Sequence, residues 1–312
     1  MNIEYLDFYM SQNTISAIDV LKKSNNEKIK NDDYCKFFID TNRFGEISIE
    51  NNLSEIEVLM RIFSKLVDSI DLSSVDFFFF CKNPYGQTQG NINIPFLLHK
   101  KFAMSATIVN IFQECSTTIQ AMEFAMGLIS NGTARKVLIV SLSHIGNYNE
   151  QRYIETSILG DGIGVMLLGN GKPCYKVLDF ASAADGQYSL SIYEGKENHD
   201  PILALKNCAI VVSELSKKAG KSMEEIAMMI PQNVSYTNIH LVSKYLKLPL
   251  NRFYCGNLSC GGHMADVDTI RNLYSTYTQD TLKPSEYLIC YAIGNMRPGF
   301  DTISNAVLLQ KT

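Results

Sequence analysis

One stretch constrains this chain more than any other, Ala106 to Ser143. It opens with a short, β-branched apolar run, Ala106 to Phe112, of the kind that forms a buried strand. Cys115 follows directly. Ile119, Met122, Met126 and Ile129 then recur at helical spacing, and Asn131-Gly132 is a usual C-terminal cap pair. A second apolar run, Val137 to Leu142, comes next. The order is strand, sharp turn, helix, strand, with Cys115 where the turn enters the helix. Unpaired N–H groups and the positive end of the helix dipole favour a thiolate there, and a thiolate attacks acyl carbons. A free cysteine also packs as a small hydrophobe; the placement favours the nucleophile.

The chain has 312 residues, 46% apolar and 19% charged, enough for one large layered domain or two ordinary ones. A net charge of −4 gives no bulk attraction to nucleic acid. The start, MNIEYLDFYMSQ, lacks the basic-then-apolar layout of an export signal. No apolar run reaches membrane-spanning length. Eight scattered cysteines in a chain of this size are expected to be reduced, in a cytoplasm.

Around the central stretch the pattern alternates between strand and helix. The periodicity predicts helices over 15–21, 53–70 (N-cap Ser54), 95–102, 202–219, 239–246 and 266–277. It predicts strands over 75–81, 226–230, 287–292 and 306–310, another starting at 252–255, and loops over 25–33 and 82–93. GDGIGVMLLG, Gly160 to Gly169, is a glycine turn feeding a strand. A dinucleotide-binding turn would feed a helix. The halves share a beat: VDFFFFC matches IAMMIPQ, KVLIVSLS matches YLICYAIG, GVMLLG matches AVLLQ, and the strand before Cys115 matches that before His263. This is a duplicated α/β unit packed in layers. A pseudo-two-fold between the halves would bring the Cys115 and His263 turns together at the carboxyl ends of strands.

Four motifs in order make the chain similar to the thiolase superfamily, nearest its β-ketoacyl-acyl-carrier-protein synthase III branch. The Cys115 stretch resembles the nucleophile turn and GDGIGVMLLG the GDGAGA-type turn. IPQNVSYTNI resembles the PHQAN segment and GGHMADVDTIRNL the GNTSAASIPLAL segment. The resemblance implies an α/β thiolase fold, with duplicated βαβαβαββ halves forming a layered αβαβα sandwich. Residues 1–170 would carry the nucleophile and 171–312 the catalytic His. It also implies a homodimer, no permanently bound cofactor and no metal.

Condensing enzymes of that family use Cys, His and Asn. Here the His of PHQAN falls on Gln232, and the Asn of GNTS falls on His263 or, in another register, Asn257. Gln232 can donate a hydrogen bond but cannot shuttle a proton; His263 can. The pattern resembles ketosynthase-III-like acyltransferases with a Cys–His–Asp arrangement. It implies a Cys115 acyl-enzyme, His263 as base, and Asp268, or less well Asp266, orienting the imidazole. Backbone N–H groups at Cys115 and near Gly294 would form the oxyanion hole. The donor would be a phosphopantetheine thioester, on acyl carrier protein or coenzyme A. No Trp is present to stack an adenine, with Phe37 and Phe38 in roughly that place, which leans toward the carrier protein. The acceptor would be a hydroxyl or amine on a small molecule of secondary metabolism.

Blander readings stand beside these. His263 could cap the next helix. Asp at a helix start is favoured by the dipole alone. Gln232 could only bridge backbone groups. Cys255, Cys260 and His263 have metal-like spacing but lack a fourth ligand. A carboxylate at Glu114 would raise the thiol pKa, so Glu114 is expected to point away, toward a subunit interface. The alternative functions are a Claisen-type condensing enzyme and an inactive partner subunit of a heterodimer.

Overall fold

The apolar runs become strands of one large sheet, and the amphipathic segments become helices against its faces. The computed structural model describes residues 1–26, 29, 31–82, 92–196, 201–294 and 301–312. Most of the predicted 82–93 loop therefore lies outside the described residues. In chain order the first half runs β1 (Asn2–Met10), β2 (Thr14–Ser16), α1 (Ala17–Lys23), α2 (Asp32–Asn42), β3 (Glu46–Ser48), α3 (Glu55–Leu66), β4 (Phe77–Lys82), α4 (Ile94–Lys101), β5 (Thr107–Ile111), α5 (Thr117–Ser130), β6 (Val137–Ser143), β7 (Tyr153–Ile154), β8 (Ser157–Ile158) and β9 (Gly162–Gly169). The second half runs β10 (Tyr175–Asp185), α6 (Gln187–Tyr193), α7 (Pro201–Lys218), β11 (Ile226–Ile230), α8 (Tyr236–Leu246), β12 (Cys260–Gly261), α9 (Val267–Thr278), β13 (Tyr287–Gly294) and β14 (Thr302–Lys311).

The main sheet has nine strands in the order β11-β13-β14-β10-β1-β9-β6-β4-β5. From one edge, β5, β4 and β6 are parallel, then β9 and β1 antiparallel. From the other edge, β11 and β13 are parallel, then β14 and β10 antiparallel. The same sub-pattern thus occurs twice, and the two copies meet at β1–β10. That pairing involves only Asn2 and Ile3 of β1.

Side-chain alternation along the strands builds the layers. On β4, Phe79 and Cys81 enter a core shared with Ile119 and Met122 of α5 and Ile270 and Leu273 of α9. Strands of both halves contribute to this core, through Val137, Met166, Val307 and Leu309. Phe78 and Phe80 face the other way, against α3 and α4. In the second half, α7 and α8 pack on Ile289, Tyr291 and Leu308. The two halves of the one sheet thus enclose α5 and α9, with α3 and α4 outside the first half and α7 and α8 outside the second, the layered α/β sandwich expected. α3 begins as predicted at Ser54, with a full capping box to Glu57.

Three predictions fail locally. The predicted loop over 25–33 runs into α2, capped by Asn31, whose side chain accepts from Asp33 and Tyr34 N–H groups. No main-sheet strand starts at Arg252–Cys255: a 3-10 turn spans Leu250–Arg252, and Phe253 makes one isolated bridge to Met229. The strand before His263 is only β12, and it pairs with β3 in a separate small sheet. The glycine pair Gly261-Gly262, both with φ in the left-handed region, stops the strand before it can extend. The central strands β1 and β10 were not singled out by periodicity.

Phe78 is fully buried, whereas Ser54 contributes only its cap. Phe78→Ala is expected to lower unfolding free energy by about 3–5 kcal/mol and Ser54→Ala by about 1 kcal/mol. Urea titrations of the two variants check the contrast.

Candidate active site

Cys115 lies just before α5, in the turn after β5. The turn is tight. Glu114 takes a left-handed backbone (φ 50°). Ser116 N–H and Oγ both donate to Gln113 O (3.2 and 2.9 Å), and Thr117 Oγ1 donates to Glu114 O (2.6 Å). Gly294, at the end of β13, presses its backbone on the same turn. A Cβ there would lie 2.7 Å from Gln113 O and 2.9 Å from Ser116 Oγ. Only a glycine lets the strand end approach so closely.

His263 is held from both sides. Its N–H donates to Ile158 O and its C=O accepts from Gly160 N–H, both at 2.8 Å. A Cβ on Gly160 would stand 1.8 Å from Gly261 O, so this backbone contact requires glycine. Asp268 Oδ2 lies 2.5 Å from His263 Nδ1 and accepts from Asn233 N–H at 2.8 Å. Oδ1 accepts from Asn233 Nδ2 and Met264 N–H, each at 3.1 Å. A carboxylate only accepts, so His263 Nδ1 carries the proton and Nε2 keeps its lone pair. Both residues are almost wholly buried. The imidazole is thereby held in one orientation.

Gln232 connects this group to the nucleophile. Its Nε2 donates to Cys115 O, and its Oε1 accepts from Ile293 N–H at 2.8 Å. It therefore joins the Cys115 turn to the end of β13. The next residue, Asn233, holds Asp268, so adjacent residues of one loop bind the Cys115 turn and the His263 partner. Asn257 is turned elsewhere: its Nδ2 donates to Asn272 Oδ1 (2.7 Å) and Ser275 Oγ (3.0 Å) on α9. Asp266 meets Thr118 of α5. Cys260 is exposed, and His263 is committed to Asp268. Among the described residues no group of His, Cys, Asp and Glu is arranged to hold a metal ion.

The thiol's surroundings differ from the simple helix-dipole expectation. Cys115 is only half-buried as a residue, yet burial of the thiol pushes its pKa well above the ordinary cysteine value. The carboxyl groups of Glu114, Asp266 and Asp268 push in the same direction. Burial also raises the pKa of Glu114 itself. At neutral pH Cys115 is therefore a thiol.

Beneath His263 lies a buried ion pair that sequence reading missed. Arg152 and Asp161 are both almost wholly buried and meet at 2.8 Å. Asp161 also accepts from the N–H groups of Glu50, Ile145 and Gly146. Arg152 donates to Gly146 O at 2.5 Å and Leu159 O at 3.2 Å. The pair fixes the 145–161 loop, whose Ile158 and Gly160 grip the His263 backbone. Asp161 stood in the glycine motif, but Arg152 sat unmarked in a polar stretch.

The comparisons agree with this fold. The family model for 3-oxoacyl-[acyl-carrier-protein (ACP)] synthase III matches residues 109–186, the region of Cys115 and the glycine turn. A β-ketoacyl-[acyl-carrier-protein] synthase III from Roseiflexus castenholzii is 24% identical over 62% of this chain, which spans 65% of that relative's length. The crystal structure of 3-oxoacyl-[acyl-carrier-protein] synthase III from Aquifex aeolicus superposes with TM-score 0.76 at 14% identity, over 99% of each chain. ChlB3, described as an acyltransferase, superposes with TM-score 0.82 at 15% identity, over 99% of this chain and 97% of its own.

Removing one partner of the Arg152–Asp161 pair leaves a buried charge alone. Arg152→Ala is expected to lose about 3–5 kcal/mol of stability, read as a lower denaturant midpoint. The motifs, the layered sheet and these comparisons together make the chain similar to ketosynthase-III-like proteins of the thiolase superfamily.

Proposed function

We propose that this protein is an acyltransferase that works through a Cys115 acyl-enzyme. It takes an acyl group from a phosphopantetheine thioester, on an acyl carrier protein or coenzyme A, and passes it to a hydroxyl or amine of a small-molecule acceptor in secondary metabolism. The single observation that carries this reading is the Asp268–His263 pair, with Gln232 standing where decarboxylating relatives have a histidine.

The chemistry follows from the proton inventory. His263 Nε2 has the free lone pair and takes the Cys115 proton as the sulfur attacks the thioester carbonyl. Asp268 stabilises the imidazolium so formed. The tetrahedral oxyanion is received by N–H groups at Cys115 and near Gly294. The imidazolium returns its proton to the departing pantetheine thiolate. His263, neutral again, deprotonates the acceptor, which attacks the acyl-enzyme and frees Cys115. Gln232 holds the Cys115 carbonyl and cannot relay a proton. In this proposal residues 1–170 supply the nucleophile, and residues 171–312 supply the His–Asp pair. Phe37 is exposed and Phe38 is packed beside Phe44, so no pair of rings is offered for an adenine. This supports a carrier-protein donor.

A Claisen-type condensation is the second reading, supported by the synthase III family match. It needs an acceptor carbon acidic enough for His263 alone. An inactive partner subunit is opposed by the intact Cys115 and the oriented His263.

Intact-protein mass spectrometry with a panel of acyl-carrier-protein and acyl-coenzyme A donors tests the proposal. The expected result is a mass gain that is absent in Cys115→Ala, with no carbon dioxide released from malonyl thioesters. No adduct with any donor sinks both enzymatic readings. Asp268→Asn is expected to slow acylation by about 10²- to 10⁴-fold while the protein stays folded, measured in single turnover.

A further inference from the structure

Asp266 opens α9, two residues before Asp268, and is fully buried. Its Oδ1 meets no hydrogen-bond partner. Its Oδ2 lies 3.4 Å from Thr118 Oγ1, in the first turn of α5. Thr118 Oγ1 also lies 3.0 Å from Asp266 O and 2.6 Å from Ser141 Oγ on β6. A hydroxyl has one proton and two acceptor lone pairs. The Asp266 carbonyl can only accept, so it takes the Thr118 proton. At 3.4 Å the Oδ2 contact is longer than a good O–H···O hydrogen bond. Burial outweighs the Ser141 and Thr118 hydroxyls, which favour the charged form. A fully buried carboxyl with one oxygen unpartnered and only a distant hydroxyl by the other is favoured with its proton on.

We propose that Asp266 is a positioning residue that works as a neutral carboxylic acid: through Thr118 it fixes the first turn of α5 next to Cys115, and it keeps a further negative charge away from the thiol. Burial raises its pKa to about 8. The ionisable groups around it are Asp268 on its own helix, Cys115 before α5 and Cys81 on β4. His263 follows on the adjoining turn, and Glu114 bears on Cys115 from the other side. Below that pKa the thiol feels no charge from Asp266. Above it, a buried carboxylate forms nearby and the thiolate becomes harder to make. The thiolate fraction thus rises less steeply with pH than that of an isolated cysteine. Its use in catalysis rests on the acyltransferase reading; the thiol's titration does not.

The test follows alkylation of Cys115 by iodoacetamide, resolved by peptide mass spectrometry, from about pH 6.5 to about pH 9.5. In Asp266→Asn the rate should match wild type within about twofold at the acid end and exceed it by about three- to tenfold at the alkaline end. Superimposable profiles at every pH would overturn the proposal. A separate measurement needs no change at position 266. In a Glu114→Gln background, infrared spectroscopy should find a carboxylic-acid C=O band near neutral pH that disappears on alkaline titration. Absence of that band at neutral pH overturns the proposal. A shifted alkylation profile in a protein that takes no acyl group would leave this inference standing and remove the proposed function.

Discussion

The Asp268 carboxylate is the interaction on which the site depends. Its two oxygens collect the His263 ring, the backbone and amide of Asn233, and the backbone of Met264. Those donors come from the loop after β11 and from the glycine turn, and Asp268 itself stands at the start of α9. One buried charge thus pins three segments whose own secondary structure would not fix their spacing. Such a charge is tolerated only because its lone pairs are filled. The same bonds hold the imidazole in a single tautomer, so structural satisfaction and chemical readiness come from one group.

The nucleophile shows the complementary constraint. Its placement at a helix entrance favours a thiolate, but burial and neighbouring carboxyl groups oppose one. The opposing terms are larger here because the site excludes water and contains several acids. A sulfur kept protonated at rest is protected from stray electrophiles and oxidants. In the proposed reaction it becomes nucleophilic when His263 takes the proton.

Much of this was legible in the residues. Cys115, His263 and Asp268 stood out because a strand–turn–helix context and a matched motif gave each a place. Gln232 was legible as a departure, and its two backbone bonds give that departure a structural task. Other features were hidden for physical reasons. β1 is partly buried on both faces, so its residues show no clean alternation. Arg152 carries no local mark, because a buried ion pair is defined by its partner across the fold. Asn233 was quoted only as part of a motif. Its role is to donate to Asp268, and hydrogen bonds between distant segments leave no periodic trace. The division between Asp266 and Asp268 was also unreadable, since adjacent turns of a helix start differ in direction only once the backbone is fixed.

The central position of β1 has a consequence for how the chain reaches this state. Asn2–Met10 pairs along its length with Gly162–Gly169, and at its start with Tyr175 and Lys176. β1 therefore waits for more than half of this sequence before either neighbour exists. Until then the outer edge of β6 lacks β9, and an apolar strand edge is open to pairing with other chains. Closing so long a loop costs entropy before any contact repays it, which slows folding. The seam between the halves thus closes only after the first half is complete, and β10 then waits in turn for β14 at Thr302–Lys311, so each half leaves open strand edges until its last strand emerges.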